Sequence, residues 1–189
     1  MKMSTLQAVA LAACVFSALC SAQTSAAPTD EISRGKYLAT FGGCADCHTP
    51  KVMTEHGPSP DASRMLAGYF PTTPLPKIPP GVIGPDPKLW GAMTNGELTA
   101  WAGPWGVSFA ANLTPDKITG LGSWTPEQFI ATMRTGKHLG VGRPLLPPMP
   151  YFDVAALTDS DMRALFAYLG SLPPIVNQVP PPIPPVARK

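Results

Sequence analysis

The sequence has little charge, and the charge that it has nearly balances. Charged residues make up 14% of the 189 positions, and 14 Lys and Arg against 12 Asp and Glu leave a net charge of +2. So small a balance gives no general attraction to nucleic acid or to an anionic membrane surface. The length is enough for one ordinary domain with a hydrophobic core. We therefore expect one domain that does not bind nucleic acid.

A hydrophobic run long enough to cross a bilayer is also missing. The apolar run AVALAACVFSALC, at 8–20, falls short of the roughly 20 residues that a membrane-spanning helix requires. It follows Lys2 and precedes small residues at 21–22, which is the pattern of a secretory signal. We expect 1–22 to be a cleaved signal peptide, with cleavage at 26–27 as the alternative. The mature chain would then be periplasmic and have no transmembrane segment.

Cysteine is scarce, with four in the chain. Cys14 and Cys20 would leave with the signal peptide. Acylation of Cys20 as in a lipoprotein is the weaker alternative, because Leu19 precedes it where a small residue is expected. A mature exported chain with only Cys44 and Cys47 is not held together by a framework of disulfides.

Proline and glycine are abundant instead, at 25 and 17 residues. Between 58 and 105 they are so dense that we expect a long ordered loop insert with one short helix near Leu98. The segment 173–189 reads as a stiff polyproline tail. Three aliphatic side chains give this tail an apolar side: Ile175, Val179 and Ile183. We expect the tail to lie along the domain surface.

Three segments carry the signals of α-helices: 30–40, 125–135 and 158–172. Thr125 and Gln128 form a capping box at the start of the second, and Thr158 is the expected N-cap of the third. Gly35 in the first segment costs helix stability, so its expected use is the close approach of another helix.

Directly after the first helix the chain reads GGCADCHTP. Two cysteines separated by two residues and followed by histidine are the attachment signature of c-type haem. Cys44 and Cys47 would form thioethers with the two vinyl groups on one edge of the porphyrin, and His48 would be the proximal ligand of the iron. Gly42 and Gly43 give the backbone room for a tight turn. One occurrence of the motif implies one haem.

Other interpretations of the cysteine pair fit less well. A zinc site needs a further pair of ligands, and His56 and His138 do not offer the usual spacing. A thioredoxin-like redox pair needs a βαβ context, which the sequence lacks. A structural disulfide between Cys44 and Cys47 would close a small, strained loop.

The sixth ligand decides whether a haem transfers electrons or binds small molecules. Met149 is the expected ligand, because the surrounding prolines form a rigid loop that holds a weakly binding thioether in place. Met133 and Met162 lie on helix faces and are expected in the core. Met53 is too close to His48 to reach the opposite face. The alternatives that remain open are Met65, Met93 and His138.

At these residues the chain resembles the class I cytochrome c superfamily. The resemblance begins at RGKYLATFGGCADCHTP and is sharper from FAANLTPDKITG through PPMPYFDVAALTDSDMRALFAYLGSLPP, where the chain is similar to cytochrome c subunits of membrane-associated alcohol, gluconate and aldehyde dehydrogenases. It implies an all-α cytochrome c fold at 23–172, with the first and last helices crossing around a covalent haem and Gly35 and Tyr37 packed against Phe166 or its neighbours. It also implies that Met149 is the distal ligand. A single CxxCH makes this a single-haem form.

We expect an electron carrier rather than an enzyme, because iron ligated by His48 and Met149 has no open position. The resemblance implies a dehydrogenase-type donor and an oxidase or cytochrome of the respiratory chain as acceptor, with membrane association through a partner left open. The alternative is a haem enzyme or a gas-binding cytochrome with an open distal site, for which His56, His138 or Arg143 would handle protons.

Overall fold

The computed structural model describes residues 28–84, 86 and 88–185, so the expected signal peptide at 1–22 lies outside the described residues. The helices are α1 (Pro28–Phe41), α2 (Cys44–His48), α3 (Pro126–Thr135), α4 (Tyr151–Ala155) and α5 (Asp159–Gly170). The strands are β1 (Lys51–Thr54), β2 (Gly57–Pro60), β3 (Met93–Thr94), β4 (Ala100–Gly103) and β5 (Gly106–Phe109). Within the described residues, none of the helices combines the length and the hydropathy that a membrane span needs.

The expectation of an all-α fold is wrong. The strands form two antiparallel sheets, one of β1 and β2 and one in the order β3–β4–β5, so the domain is mixed α and β. The hairpin turns depend on glycine, because Gly57 and Gly106 have φ of 101° and 96°. Proline enters β2 because each strand of a two-stranded sheet is an edge strand, where a missing N–H is tolerated. The segment rich in Pro and Gly at 58–105, expected to be a loop, therefore also contains strands of both hairpins.

The short helix expected near Leu98 is also wrong. Leu98 has φ of 60° and lies in the turn between β3 and β4. The turn is organised by the Asn95 side chain, whose Oδ1 accepts hydrogen bonds from the backbone N–H groups of Thr99 (2.9 Å) and Ala100 (3.0 Å). An Asx-type side-chain bond of this kind stabilises a turn in place of a helix.

The three expected helices are confirmed as α1, α3 and α5. Thr125 and Gln128 form the reciprocal capping box at the start of α3, and Gly136, with φ of 64°, ends it. Thr158 caps α5 by accepting a hydrogen bond from the backbone N–H of Asp161 at 3.1 Å. Helix ends are predictable because a few local side-chain types satisfy the unpaired backbone groups there.

Helices α1 and α5 pack backbone against backbone at Gly35, as expected. Gly35 is buried, and a Cβ built on it would lie 1.9 Å from the carbonyl oxygen of Ala164 and 2.7 Å from the Cβ of Tyr168. The guanidinium of Arg34 donates to both carboxylate oxygens of Asp161, at 2.8 and 3.2 Å, beside this contact. The ring of Tyr37 stacks on Phe41 and is 57% exposed, so most of its surface faces solvent.

The hydrophobic core lies between these two helices and α3. Its buried residues come from the three helices and from one loop residue: Ala39, Leu66, Phe129, Met133, Met162, Leu165 and Leu169. Met133 and Met162 are 8% and 0% exposed, so both are core residues as expected. Phe166 packs on Phe129 at the margin of this cluster, with ring centroids 5.4 Å apart.

The proline-rich tail lies along the domain as far as the structure describes it. Ile183 exchanges two backbone hydrogen bonds with Val107 of β5, at 2.8 and 2.9 Å. Further in, the buried side chain of Asn177 donates to the carbonyl oxygens of Ala67 (2.7 Å) and Tyr69 (3.0 Å). The tail thereby closes one edge of the larger sheet and holds the loop at 66–69.

Replacing Gly35 with Ala should separate α1 from α5, because the added Cβ would overlap backbone atoms that cannot rotate away. We expect a loss of about 1–3 kcal/mol, or somewhat more, in the free energy of unfolding. Thermal unfolding of the purified protein measures it. Gly170→Ala is the matched control, since Gly170 ends α5 with nothing within 4 Å of an added Cβ. A control as destabilised as Gly35→Ala would argue against the close contact.

Candidate haem-binding site

The residues of the CxxCH motif lie on the single-turn helix α2. Gly43 precedes it with φ of 64°, a left-handed conformation that lets the chain leave α1 and turn at once. Cys44, Cys47 and His48 stand at positions i, i+3 and i+4 of this helix, which places them on one face. The expected tight turn at the glycines is confirmed, and the three candidate ligand residues are brought together.

His48 is buried and has one ring nitrogen engaged. It is 9% exposed, and its Nδ1 lies 2.8 Å from the backbone carbonyl oxygen of Ala111. A carbonyl only accepts, so this geometry assigns the proton to Nδ1 and leaves the lone pair on Nε2. Burial lowers the pKa of His48 below its ordinary 6.5, which keeps the ring neutral. A neutral imidazole with an oriented Nδ1–H is the state in which histidine binds a metal.

The two cysteines are free thiols that are each partly buried. Burial raises the pKa of Cys44 and of Cys47 above the ordinary 9.0. Protonated thiols at neutral pH differ from the low-pKa thiolates of redox-active CxxC pairs. A cavity of about 290 Å³ adjoins Cys44 and is lined by Lys36 and Asp46 as well as by Ala39, Met65 and Leu66, but not by Cys47 or His48. Two thiols and a neutral imidazole on one helix face fit a covalently attached haem.

Met65 lies beside the motif, whereas Met93 and His138 make their contacts with other parts of the domain. The sulfur of Met65 accepts a hydrogen bond at 3.4 Å from the buried hydroxyl of Thr49, the residue that follows His48. Met93 lies on the edge strand β3 and lines a separate cavity of about 70 Å³ with Trp101. His138 packs edge-on against Trp124, with ring centroids 5.1 Å apart. Met53, already set aside, is 79% exposed on β1.

Met149 is partly buried and packs, like Cys44, against the hydrophobic core. Its loop is anchored from two directions. The Ser108 hydroxyl of β5 donates to the Pro147 carbonyl oxygen at 2.5 Å, and the backbone N–H of Leu145 donates to the Gly136 carbonyl oxygen at 2.8 Å. The loop is therefore held by the larger sheet on one side and by the end of α3 on the other.

Sequence reasoning missed Lys51, which follows the motif at CHTPK. Its ammonium donates to the backbone carbonyl oxygens of Ala45 (3.2 Å), Asp46 (2.8 Å) and Thr49. Burial lowers the pKa of Lys51 from its ordinary 10.5, while the nearby Asp46 carboxylate raises it. The only sequence signal for this role was a lysine just after a short helix, because cations near helix C-termini often bind unpaired carbonyl oxygens.

No protein-family model matches the chain. It is 31% identical to the gluconate 2-dehydrogenase cytochrome c subunit of Pantoea cypripedii, over 88% of this chain and 28% of that protein. It is 30% identical to the fructose dehydrogenase cytochrome subunit of Gluconobacter japonicus, over 73% of this chain and 20% of that protein. It is 28% identical to a diheme cytochrome c-type protein of Cereibacter sphaeroides, over 77% of this chain and 38% of that protein.

These matches cover most of this chain but well under half of each relative. Further relatives are the cytochrome c subunits of quinone-dependent alcohol dehydrogenases. The resemblance to cytochrome c subunits of dehydrogenases is therefore confirmed.

Replacing both Cys44 and Cys47 with Ala should leave no haem on the chain after denaturation, because both thioether positions are gone. A haem stain of the protein on a denaturing gel measures this. Met53→Ala is the control, since Met53 is exposed on β1 and its loss should leave the stain unchanged. A stain that survives the double substitution would exclude covalent attachment at this motif.

Proposed function

We propose that the chain is a c-type cytochrome that carries one covalent haem and transfers single electrons. The observation that carries the proposal is the buried His48, oriented by Ala111 on the same helix face as Cys44 and Cys47. Similarity to cytochrome c subunits supports it. The number of haems rests on the single CxxCH motif in the sequence.

The protein contributes attachment, orientation and a dry surrounding. When bound, haem supplies an iron atom that alternates between the ferrous and ferric states. Cys44 and Cys47 would hold the haem through thioethers, and Nε2 of His48 would bind its iron. The Ala111 carbonyl holds the imidazole plane and makes the ring more basic by accepting a hydrogen bond from Nδ1–H. Leu66, 2% exposed, is a core residue whose backbone N–H donates to the Thr49 hydroxyl at 2.9 Å, directly after His48.

Met149 is the proposed distal ligand. A thioether binds iron weakly, so it serves best where the loop fixes the sulfur without help from the bond. The anchors at Ser108 and Leu145 supply this constraint. Methionine ligation stabilises the ferrous state and closes the sixth position, which suits electron transfer rather than substrate chemistry.

The proposed setting is the periplasm, with residues 1–22 as the export signal, 23–172 as the cytochrome domain and 173–189 as its tail. The proposed donor is a dehydrogenase, because the relatives are named as subunits of gluconate, fructose and alcohol dehydrogenases. The proposed acceptor is a respiratory oxidase or cytochrome, and contact with the membrane would come through such a partner.

Met149→Ala should leave the haem attached, because Cys44, Cys47 and His48 are untouched. We expect a high-spin or water-ligated iron, a lower reduction potential and faster binding of cyanide, since no internal ligand has to be displaced. Absorbance spectra of the ferric protein and cyanide-binding rates measure these changes.

Met133→Ala is the control for the loss of a methionine. It should lower the free energy of unfolding by about 2–5 kcal/mol and keep the ligand spectrum, because Met133 is a core residue. If Met149→Ala keeps a low-spin spectrum and a change at Met65, Met93 or His138 abolishes it, Met149 is the wrong ligand. A wild-type protein that is already high-spin would favour the gas-binding or enzymatic alternative over electron transfer.

Ser108→Ala should loosen the Met149 loop, because the Pro147 carbonyl loses its hydroxyl donor. We expect about 0.5–1.5 kcal/mol of lost stability and faster cyanide binding with the haem still attached. Stopped-flow mixing with cyanide measures the rate. Ser123→Ala, at an exposed position, is the matched control. An unchanged rate in Ser108→Ala would mean that this hydroxyl does not hold the distal loop.

A further inference from the structure

The haem-attachment helix α2 ends in a way that leaves a backbone carbonyl without its usual donor. In a continuing helix, the carbonyl of Asp46 would accept from the N–H of residue 50. Residue 50 is proline, which has no N–H, and it is fully buried. The orphaned carbonyl lies one residue before Cys47 and two before the candidate iron ligand His48.

The Lys51 ammonium takes the place of the missing donor. It lies 2.8 Å from the Asp46 carbonyl oxygen and also donates to the carbonyls of Ala45 and Thr49. An ammonium has three protons, so these three carbonyls use its full donor capacity. This arrangement holds the side chain in one place under α2, instead of leaving it as a solvated surface lysine.

The position gives the site a fixed positive charge. The ammonium lies against the backbone of the helix that carries His48, at hydrogen-bond distance from the carbonyl oxygen two residues before it. The acidic side chains that act on Lys51 are those of Asp46 and Glu97, and the ammonium partly offsets both. A cation near a redox centre disfavours the more positive oxidised state, since like charges repel.

We propose that Lys51 is a positioning residue of the haem site, which caps the attachment helix in place of the N–H that Pro50 lacks and raises the reduction potential of the haem through its charge. This inference rests on the haem attachment proposed above, but not on the identity of the distal ligand. It predicts a lower reduction potential when the charge is removed, in addition to any loss of stability from the missing cap.

The test compares the reduction potentials of four purified holoproteins, measured by spectroelectrochemical titration at one pH and one salt concentration. They are the wild type, Lys51→Met, Lys51→Arg and Lys117→Met. The first variant removes the charge and the donors at similar length, and the second keeps the charge. Lys117 is exposed and serves as the matched control for loss of one lysine.

We expect Lys51→Met to shift the ferrous-to-ferric ratio about threefold to tenfold toward ferric, which is about 28–59 mV at 59 mV per tenfold. Lys51→Arg and Lys117→Met should stay near the wild-type potential. All four absorbance spectra should indicate the same iron ligands.

Three results would overturn the proposal: Lys51→Met at the wild-type potential, Lys51→Arg as low as Lys51→Met, or loss of haem from both Lys51 variants but not from Lys117→Met. The last would make the lysine a folding element only. A wild-type protein without covalent haem would instead contradict the proposed function, so the two failures are distinguishable.

Discussion

The hydrogen bond from the Nδ1–H of His48 to the carbonyl of Ala111 is the constraint on which much of the structure depends. It joins residues 63 positions apart, so the loop that carries Ala111 must be held accurately. Backbone bonds from Tyr69 to Ala110 (3.0 Å) and from Leu113 to Leu66 (2.9 Å) bracket that loop. Strand β5, which ends at Phe109, leads directly into this loop and so helps to hold the imidazole of His48 in place.

Two buried amide side chains connect the tail to these loops. Asn112 donates to the carbonyl of Ile175 at 2.8 Å, while Asn177 donates back to the loop at 66–69. Both amides are buried, and a buried amide contributes only when its groups are paired. Within the described residues, no buried side-chain nitrogen or oxygen lacks a hydrogen-bond partner. The two amides thereby tie the tail to the loops that flank His48.

Local signals were sufficient for the helices and for the attachment motif. Thr125 and Thr158 cap helices by bonding to residues three positions away, and a glycine inside a helix indicates a close contact, so these roles could be predicted from the local sequence. The hairpins could not be predicted in this way, because strands of two to four residues are too short for a clear alternation, and β2 contains two prolines. The hydrogen-bond partners of His48 and Lys51 could not be predicted from the sequence either. Both side chains bond to backbone carbonyl oxygens, which every residue carries, and the fold determines which carbonyl lies nearby.

The order in which the chain is made adds a consequence to the position of Asn177. Its side chain reaches Ala67 across 110 positions, so the contact with the loop at 66–69 forms only after residue 177 has been synthesised. Synthesis proceeds from the N-terminus, and Cys44 to His48 emerge early. The two cysteines and His48 are therefore synthesised well before the residue that holds the loop beside them, whose Gly68 N–H donates to the His48 carbonyl oxygen at 2.8 Å.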